Sequence, residues 1–475
     1  MSTLTSPTGA ATPVVALRRR DHHVGRRARR DGAVRLVASA TLWLSLVLVT
    51  SWWVAGGGVQ DLGSWTSGLT SLGRLTGLAA SVLLLTQVVL MARVPVLEKA
   101  FGQDRLTRQH RLVGFTSFNL MLAHVALITW GYAAGSLLST PGTLWDLTLT
   151  YPGMLLAAAG TVCLVMVVVT SIKAARGRLR YESWHLLHLY AYLGVGLALP
   201  HQLWTGQEFT SSTARTVFWW SAWASAAGAV LVWRVALPLV RHLRHQLRVT
   251  SVVGEGPGVV SIYVAGRRLD GLGVEAGQFL TWRFLDRAGW TRANPYSLSA
   301  APDSRSLRLS VQDVGDGSGS LAALRPGTRV LVEGPYGRLS ARARSRRKIA
   351  LIGAGVGMAP IRALAEGLAY EPGEAVLLHR HTTDALFADE LDQIARERGL
   401  HLLRLPGRRR HAGSWLGEGT RPDLEDVDHL RWWLPDLAER DVFLCGPGPW
   451  TDLVRADLLL AGLPPEQLHL ETFQW

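Results

Sequence analysis

Apolar residues come in long unbroken runs in the first half of the chain and in short alternating ones in the second. Six runs, at 34–54, 74–92, 110–130, 153–172, 184–201 and 216–238, approach the roughly 20 residues that a helix needs to cross a bilayer. From about 246 the pattern changes. The segments "LRVTSVVGEGPGVVSIYVAG" and "SLRLSVQDVG" alternate apolar and polar positions between glycine, proline and aspartate, which predicts the short strands of a small antiparallel barrel. An arginine-rich joint, "SARARSRRK" (340–348), leads into a buried strand, a glycine turn and a helix, then further strand–helix alternation. That alternation predicts a parallel, doubly wound sheet. The expected fold is multi-domain. A basic tail (1–33) precedes an all-α six-helix transmembrane bundle (34–240), an antiparallel β-barrel domain (246–340) and a Rossmann-like α/β domain (346–475).

Charge adds direction to this pattern. The 475 residues carry a formal net charge of +14, and the basic residues flank the apolar runs, which points to membrane topology and not to nucleic acid. Arginine and lysine concentrate before the first run, between the second and third ("ARVPVLEKAFGQDRLTRQHR"), between the fourth and fifth ("KAARGRLR") and after the sixth ("RHLRHQLR"). The three other loops are poor in them. The positive-inside rule then places the N-terminus and everything after 238 in the cytoplasm, in a multi-pass protein of the cell membrane. Trp52, Trp53, Trp65, Trp130, Trp145, Trp184 and Trp204 fall near run ends, as an aromatic belt would. The apolar run after the basic tail is long enough to stay as an anchor rather than be cleaved. The two cysteines, Cys163 and Cys445, exclude a disulfide framework, a cysteine zinc site and a four-cysteine iron–sulfur cluster.

Four histidines interrupt the apolar runs: His110 and His124 in the third, His188 and His201 in the fifth. Fourteen and thirteen residues at 1.5 Å each separate the members of each pair by roughly 20 Å, about two-thirds of a hydrocarbon core. One such histidine reads as an interfacial residue. Two pairs on two outward-running helices read as two bis-histidine sites, His110/His188 toward the cytoplasm and His124/His201 toward the outside, the ligation of two stacked b-type haems. Fourteen steps return to within roughly 40° of one helix face, whereas thirteen miss it by roughly 140°. The fifth helix is therefore expected to be irregular or to end near Pro200. Arg105, Arg108 and Arg111 lie at the inner level, as propionate partners or as ordinary positive-inside residues.

The four histidines, six runs and mixed C-terminal half resemble the ferric reductase-like transmembrane superfamily, which contains NADPH oxidases and ferric reductases. "RANPYSLSAAP" (292–302) resembles the flavin-binding motif of the ferredoxin–NADP reductase superfamily. That likeness implies that Tyr296 packs on the isoalloxazine of FAD and that Ser297 hydrogen-bonds near its reactive nitrogen, beside Pro295. The family usually has a basic residue at the position of Asn294, and Arg292 is the candidate to replace its charge. In "VGDGSGSL" (314–321), Gly317 and Ser318 are placed for the pyrophosphate. "ALIGAGVGMAPIRALAEGL" (350–368) supplies Gly353, Gly355, Gly357 and Pro360 for a dinucleotide phosphate. "FLCGPGPW" implies a Cys445-Gly446-Pro447 turn at the nicotinamide, and the last residue, Trp475, is the aromatic that covers the flavin until nicotinamide displaces it. Arg380 follows the strand where a 2′-phosphate would be read, which leans toward NADPH over NADH. The resemblance implies a membrane flavocytochrome passing electrons from cytoplasmic NAD(P)H to an outer small-molecule acceptor, dioxygen or a ferric chelate. A redox sensor or a reductase subunit serving a protein partner is the reading from another class.

Overall fold

The computed structural model describes residues 13–172, 177, 181–285 and 293–472. Two compact units divide the chain, one of Asp31–Leu237 and one containing Pro238–Trp475.

The first unit is built on six long helices: α1 (Pro13–Ala55), α2 (Trp65–Met91), α3 (Gln103–Tyr132), α4 (Met154–Ser171), α5 (Tyr181–Thr205) and α6 (Thr213–Ala229). Ser64 and Ser212 start α2 and α6, each accepting the backbone N–H three residues on, which satisfies one of the orphan donors of a first turn. The helix of α6 runs on through a π-helical stretch, Val230–Ala236, to His245. Among the described residues, five segments are long and apolar enough to cross a membrane: Arg29–Ala55, Trp65–Met91, Arg105–Tyr132, Met154–Ser171 and Thr213–His245. The remaining expected run, 184–201, lies in α5 and is not among them. α5 is long enough, but His185, His188, His201 and the interior Pro200 make it the polar member of the set. α1 begins at Pro13, within the basic segment 1–33.

The helices pair closely, α2 with α3 and α4 with α5. Between α4 and α5, a Cβ on Gly160 would lie 2.7 Å from the Gly194 carbonyl oxygen, and one on Gly194 would lie 2.9 Å from that of Gly160. In lipid the apolar surface of one helix gains little by meeting another, so close backbone approach through small residues is what holds such pairs. Val49 and Trp53 of α1 pack with Leu78 and Val82 of α2 and with Trp219 of α6, whose ring stacks on Phe209 at 4.1 Å. Large apolar side chains such as Trp43, Leu44, Phe115, Val162 and Leu186 stay exposed, as lipid-facing positions do.

The second unit begins with six strands: β1 (Arg248–Gly256), β2 (Val259–Ala265), β3 (Phe279–Phe284), β4 (Asn294–Ser297), β5 (Ser306–Gln312) and β6 (Val330–Tyr336). They form two three-stranded antiparallel sheets, β1-β2-β5 and β4-β3-β6, around one core that includes Ile262, Leu280, Trp282, Leu298 and Leu309. The expected barrel is not closed. Among the described residues the sheets are linked by isolated bridges, Arg248 with Arg329 and Leu298 with Leu309. β4 is four residues long and contains Pro295, which has no N–H to give a ladder.

Five parallel strands follow: β7 (Lys348–Ala354), β8 (Ala375–Arg380), β9 (His401–Leu405), β10 (Arg440–Gly446) and β11 (Leu468–Thr472), in the order β11-β10-β7-β8-β9. Helices α7 (Met358–Gly367), α8 (Ala388–Arg398), α9 (Asp426–Trp433) and α10 (Gly448–Leu460) alternate with them. β8 and β10 are buried at every residue, as central strands of a sheet covered on both faces must be. The chain winds from β7 toward β9 and then returns to place β10 on the other side of β7. Ligands of open α/β sheets bind in the crevice at such a reversal, outside the carboxyl ends of the strands.

Candidate functional site

The four histidines lie on two helices, and the structure brings them together in pairs. The ring centroids of His110 and His188 are 6.1 Å apart, and those of His124 and His201 are 6.3 Å apart. Each ring is held at Nδ1. His110 Nδ1 lies 3.3 Å from the Gln87 carbonyl oxygen, and His124 Nδ1 lies 2.7 Å from that of Gly73, both on α2. His188 Nδ1 lies 3.3 Å from Ser171 Oγ, and His201 Nδ1 lies 2.7 Å from Thr205 Oγ1. The Trp184 ring lies 5.0 Å from that of His188, and its indole N–H donates to Ser171 Oγ at 3.3 Å. A Cβ on Gly77 would come within 2.5 Å of His124 Nδ1, so α2 can approach this ring only through a glycine.

These features fit a metal held between two imidazoles. A ligating histidine usually gives its other ring N–H to a carbonyl or side-chain oxygen, which fixes the tautomer and leaves Nε2 for the metal. Metal–imidazole bonds of about 2.0–2.1 Å from opposite sides of one ion put the ring centres roughly 6 Å apart. Both pairs meet that separation, and all four Nδ1 atoms have an oxygen partner.

The fifth helix, expected to be irregular or to end near Pro200, does not end there: α5 is continuous to Thr205 with Pro200 inside it. Proline removes one backbone hydrogen bond from the ladder. His188 and His201 thus reach their partners along a single helix interrupted at that bond.

In the second unit, β4 carries Asn294, Pro295, Tyr296 and Ser297 and pairs with β3. Asn294, Pro295 and Tyr296 are half-buried, and the Tyr296 carbonyl accepts the Trp282 indole N–H at 3.0 Å. Ser297 is buried, and its hydroxyl has no hydrogen-bond partner among the described residues. A buried hydroxyl without a partner costs free energy, so this atom fits a ligand that bonds it. Gly317 and Ser318 belong to a four-residue helical turn, Asp316–Gly319. In it Ser318 Oγ accepts from the Val314 N–H at 2.9 Å and donates to the Gly315 carbonyl at 3.0 Å. Arg292 and Trp475 lie outside the described residues.

At the carboxyl end of β7, Gly355 adopts φ +56°, a left-handed turn that suits glycine. A Cβ on Gly357 would lie 2.5 Å from the Cys445 carbonyl oxygen, so the turn after β7 and the turn after β10 touch backbone to backbone. Gly353 pairs with Cys445 across β7 and β10, and Pro360 is buried in the first turn of α7. Gly446 ends β10 and Pro447 caps α10. The turns thus line the crevice at the reversal of strand order. Cys445 is wholly buried, and burial, reinforced by the Glu471 carboxylate, pushes its thiol up, so it stays protonated.

Only 5% exposed, Arg380 bonds the carbonyls of Trp415 at 3.2 Å and Leu405 at 3.1 Å and that of His381, strapping β8 to β9 and the loop beyond. Several groups that bear on the site carry no motif signal. The Gln87 and Gly73 carbonyls, Ser171 and Thr205 are of this kind, and a backbone acceptor leaves no trace in residue type. Arg308 of β5 is another, bonded at 2.7 Å to both Glu255 and Glu390, the latter on α8, and so joining the antiparallel sheets to the parallel one.

Comparison with known proteins adds the following. Residues 76–199 match the family described as ferric reductase like transmembrane component, and residues 351–456 match the oxidoreductase NAD-binding domain. A flavohemoprotein of Xylella fastidiosa is 30% identical over 211 residues, 42% of this chain and 51% of that protein. The ferredoxin reductase component of a 3-ketosteroid-9-alpha-monooxygenase from Mycolicibacterium smegmatis is 31% identical over 251 residues, 50% of this chain and 67% of that protein. The chain thus spans about half the length of the flavohemoprotein it matches. Among solved structures, the FAD/NAD binding domain of a nitric oxide dioxygenase from Vibrio cholerae is 24% identical, with a TM-score of 0.40, over 48% of this chain and 99% of that one.

Proposed function

We propose, for a chain that belongs to the ferric reductase-like transmembrane superfamily and carries a C-terminal ferredoxin–NADP reductase-type module, that it moves electrons from cytoplasmic NAD(P)H through FAD and two stacked b-type haems to an acceptor outside the membrane. The observation that carries this reading is the double histidine pair, with ring centroids 6.1 and 6.3 Å apart and every Nδ1 held by an oxygen. When bound, haem and flavin supply the electron-carrying chemistry, which no side chain here provides.

The side chains hold and orient. His110 and His188 grip the inner group and His124 and His201 the outer one, with α2 fixing the α3 rings through its backbone carbonyls. Tyr296 packs on the flavin and Ser297 offers its unpartnered hydroxyl. Gly317 and Ser318 cradle the pyrophosphate, and Arg292 supplies charge where Asn294 has none. Gly353, Gly355, Gly357 and Pro360 admit the dinucleotide to the crevice. The Cys445-Gly446-Pro447 turn borders the nicotinamide, and Trp475 covers the flavin face in its absence. Arg380, at the carboxyl end of β8, stands where a 2′-phosphate would be read and leans the choice toward NADPH over NADH. With two histidines holding each haem, an acceptor would take its electron without binding the metal. Dioxygen and ferric chelates both meet that condition. A cytoplasmic interior at negative potential favours the outward passage of one electron by about 2.3 kcal/mol per 100 mV.

The test is membranes containing the protein, supplied with NAD(P)H. Superoxide identifies an oxidase, and Fe(II) formation without superoxide identifies a ferric reductase. Neither product until a protein partner is added identifies a subunit or sensor.

A further inference from the structure

The turn at Gly355 and Gly357 runs straight into α7, and that helix reaches across to the chain that follows β4. β4 ends at Ser297, and α7 grips residues 299–301 twice. Arg362 Nη1 donates to the Ser299 carbonyl at 3.0 Å, and the Glu366 carboxylate accepts the Ala301 backbone N–H at 2.6 Å. The same Arg362 nitrogen donates to Glu366 at 2.7 Å, so the two grips brace each other. At the end of α7, a Cβ on Gly367 would lie 2.6 Å from Ala276 Cβ and 3.3 Å from Ala301 Cβ. The helix therefore meets the antiparallel sheets with no space between.

Behind this brace stands a second carboxylate. Arg362 Nε forms an ion pair with Glu390 Oε2 of α8 at 2.5 Å, and the same oxygen accepts from Arg308 Nη1 of β5 at 2.7 Å. Both arginines are buried, Arg362 at 7% and Arg308 at 4% exposure. A buried charge is costly unless it is paired and hydrogen-bonded, so neither guanidinium can let go without loss. α8 starts at Phe387, whose φ of +59° is uncommon for an aromatic residue and whose ring lies 5.0 Å from the Arg308 guanidinium. Such strain persists only where the surroundings hold it. Apolar side chains of similar volume could join these elements as firmly. What a planar guanidinium adds is direction, because its donors are fixed relative to one another. Direction matters for a hydride, whose donor and acceptor atoms must stand about 3–3.5 Å apart.

We infer that Arg362 and Glu366 are positioning residues: they fix residues 299–301, and with them the flavin strand, relative to the dinucleotide turn, and so set the approach of nicotinamide to flavin. This rests on the proposed passage of electrons from NAD(P)H to FAD. In that step a C–H bond of the dihydronicotinamide breaks, the hydride carries two electrons to the flavin and forms an N–H bond there, and NAD(P)+ leaves. Arg362 and Glu366 act on this step through the backbone they hold.

The experiment uses the full chain in lipid nanodiscs, with Arg362→Gln, Glu366→Ala and the milder Arg362→Lys, and with FAD content as the folding check. Three quantities are read: amide hydrogen exchange at 299–301, the charge-transfer absorbance of flavin with redox-inert tetrahydro-NADP, and the rate of flavin reduction by NADPH. Loss of the carboxylate acceptor in Glu366→Ala should speed exchange at Ala301 about tenfold. In all three variants the charge-transfer band at saturation should weaken. A misplacement of this kind should slow flavin reduction about 10–100-fold in Arg362→Gln and Glu366→Ala, with KM for NADPH within about twofold. Arg362→Lys should fall between these and the unaltered protein, and it carries the test together with Glu366→Ala if Arg362→Gln does not fold. Folded, FAD-loaded variants with unchanged absorbance and rate overturn the inference. So does a slower rate that is fully accounted for by lost FAD. If NADPH leaves the flavin of the unaltered protein oxidised, the electron path itself fails, and unchanged exchange at 299–301 in the variants would separately refute the clamp.

Discussion

The helical unit and the strand–helix unit hold their sites by opposite means. In the helices each histidine stands alone on its own turn. Its ring is aimed by an oxygen on a neighbour, as His124 is by the Gly73 carbonyl at 2.7 Å. In the parallel sheet the motif works through its backbone. Gly355 and Gly357 end a strand that is almost wholly buried, and the backbone itself makes the crevice. One site is specified by single residues at long spacing, and the other by a contiguous motif. Damage should follow the same division, sharp at individual helix positions and graded along the motif.

The comparison breaks first at His124. His124→Ala is expected to lower haem from two to one per chain and to abolish reduction of an external acceptor, while NAD(P)H still bleaches the flavin. Loss of flavin reduction in folded protein would contradict the separation of the two units' tasks. Next comes Thr205→Val, which removes the oxygen beside His201 Nδ1. Changes to such supporting partners weaken metal sites by roughly 10–100-fold, and haem retention during dilution or competition with apomyoglobin measures the loss.

On the strand side, Gly357→Val forces a Cβ toward the Cys445 carbonyl, 2.5 Å away. Overpacking of this kind costs about 1–3 kcal/mol, and KM for NAD(P)H should rise about tenfold with haem content unchanged. Buried His379 tests the sheet through pH. Burial, then His381 and Arg404, push its pKa down from 6.5 to about 3, so it is neutral when folded and protonated first when unfolded. Its contribution to stability is therefore complete above 6.5 and is lost as pH falls toward about 3. Between neutral pH and about 5.5 the loss is about 1.4 kcal/mol, and His379→Leu should flatten that part of the denaturation profile. The smallest effect is expected from Ser297→Ala, where one hydrogen bond to flavin is worth about 1 kcal/mol. Flavin reduction should slow about fivefold without loss of fold.

The same division governs what could be read from the chain alone. Helix positions of the four histidines follow from apolar runs and spacing, and the strand–turn–helix at 350–368 follows from its motif. Backbone acceptors did not show, because the Gln87 and Gly73 carbonyls carry no residue identity. Nor did Gly77, whose importance lies in what a Cβ would strike. Sheet closure also escaped the alternation pattern, since it depends on whether a four-residue strand containing Pro295 can continue its ladder. Pro200 was read as an irregularity or a stop, yet one missing N–H did not end α5. Arg380 was placed from its position after β8, and its bonds to the Trp415 and Leu405 carbonyls could be seen only in the packing.

The most direct measurement is a reduced-minus-oxidised spectrum of the purified full chain, with haem and flavin counted per polypeptide and NAD(P)H as the only reductant. Two b-type haems and one FAD per chain, both haems reduced by NAD(P)H, are the predicted result. Protein that folds and binds FAD but holds no haem, or haem that NAD(P)H leaves oxidised, would contradict the account.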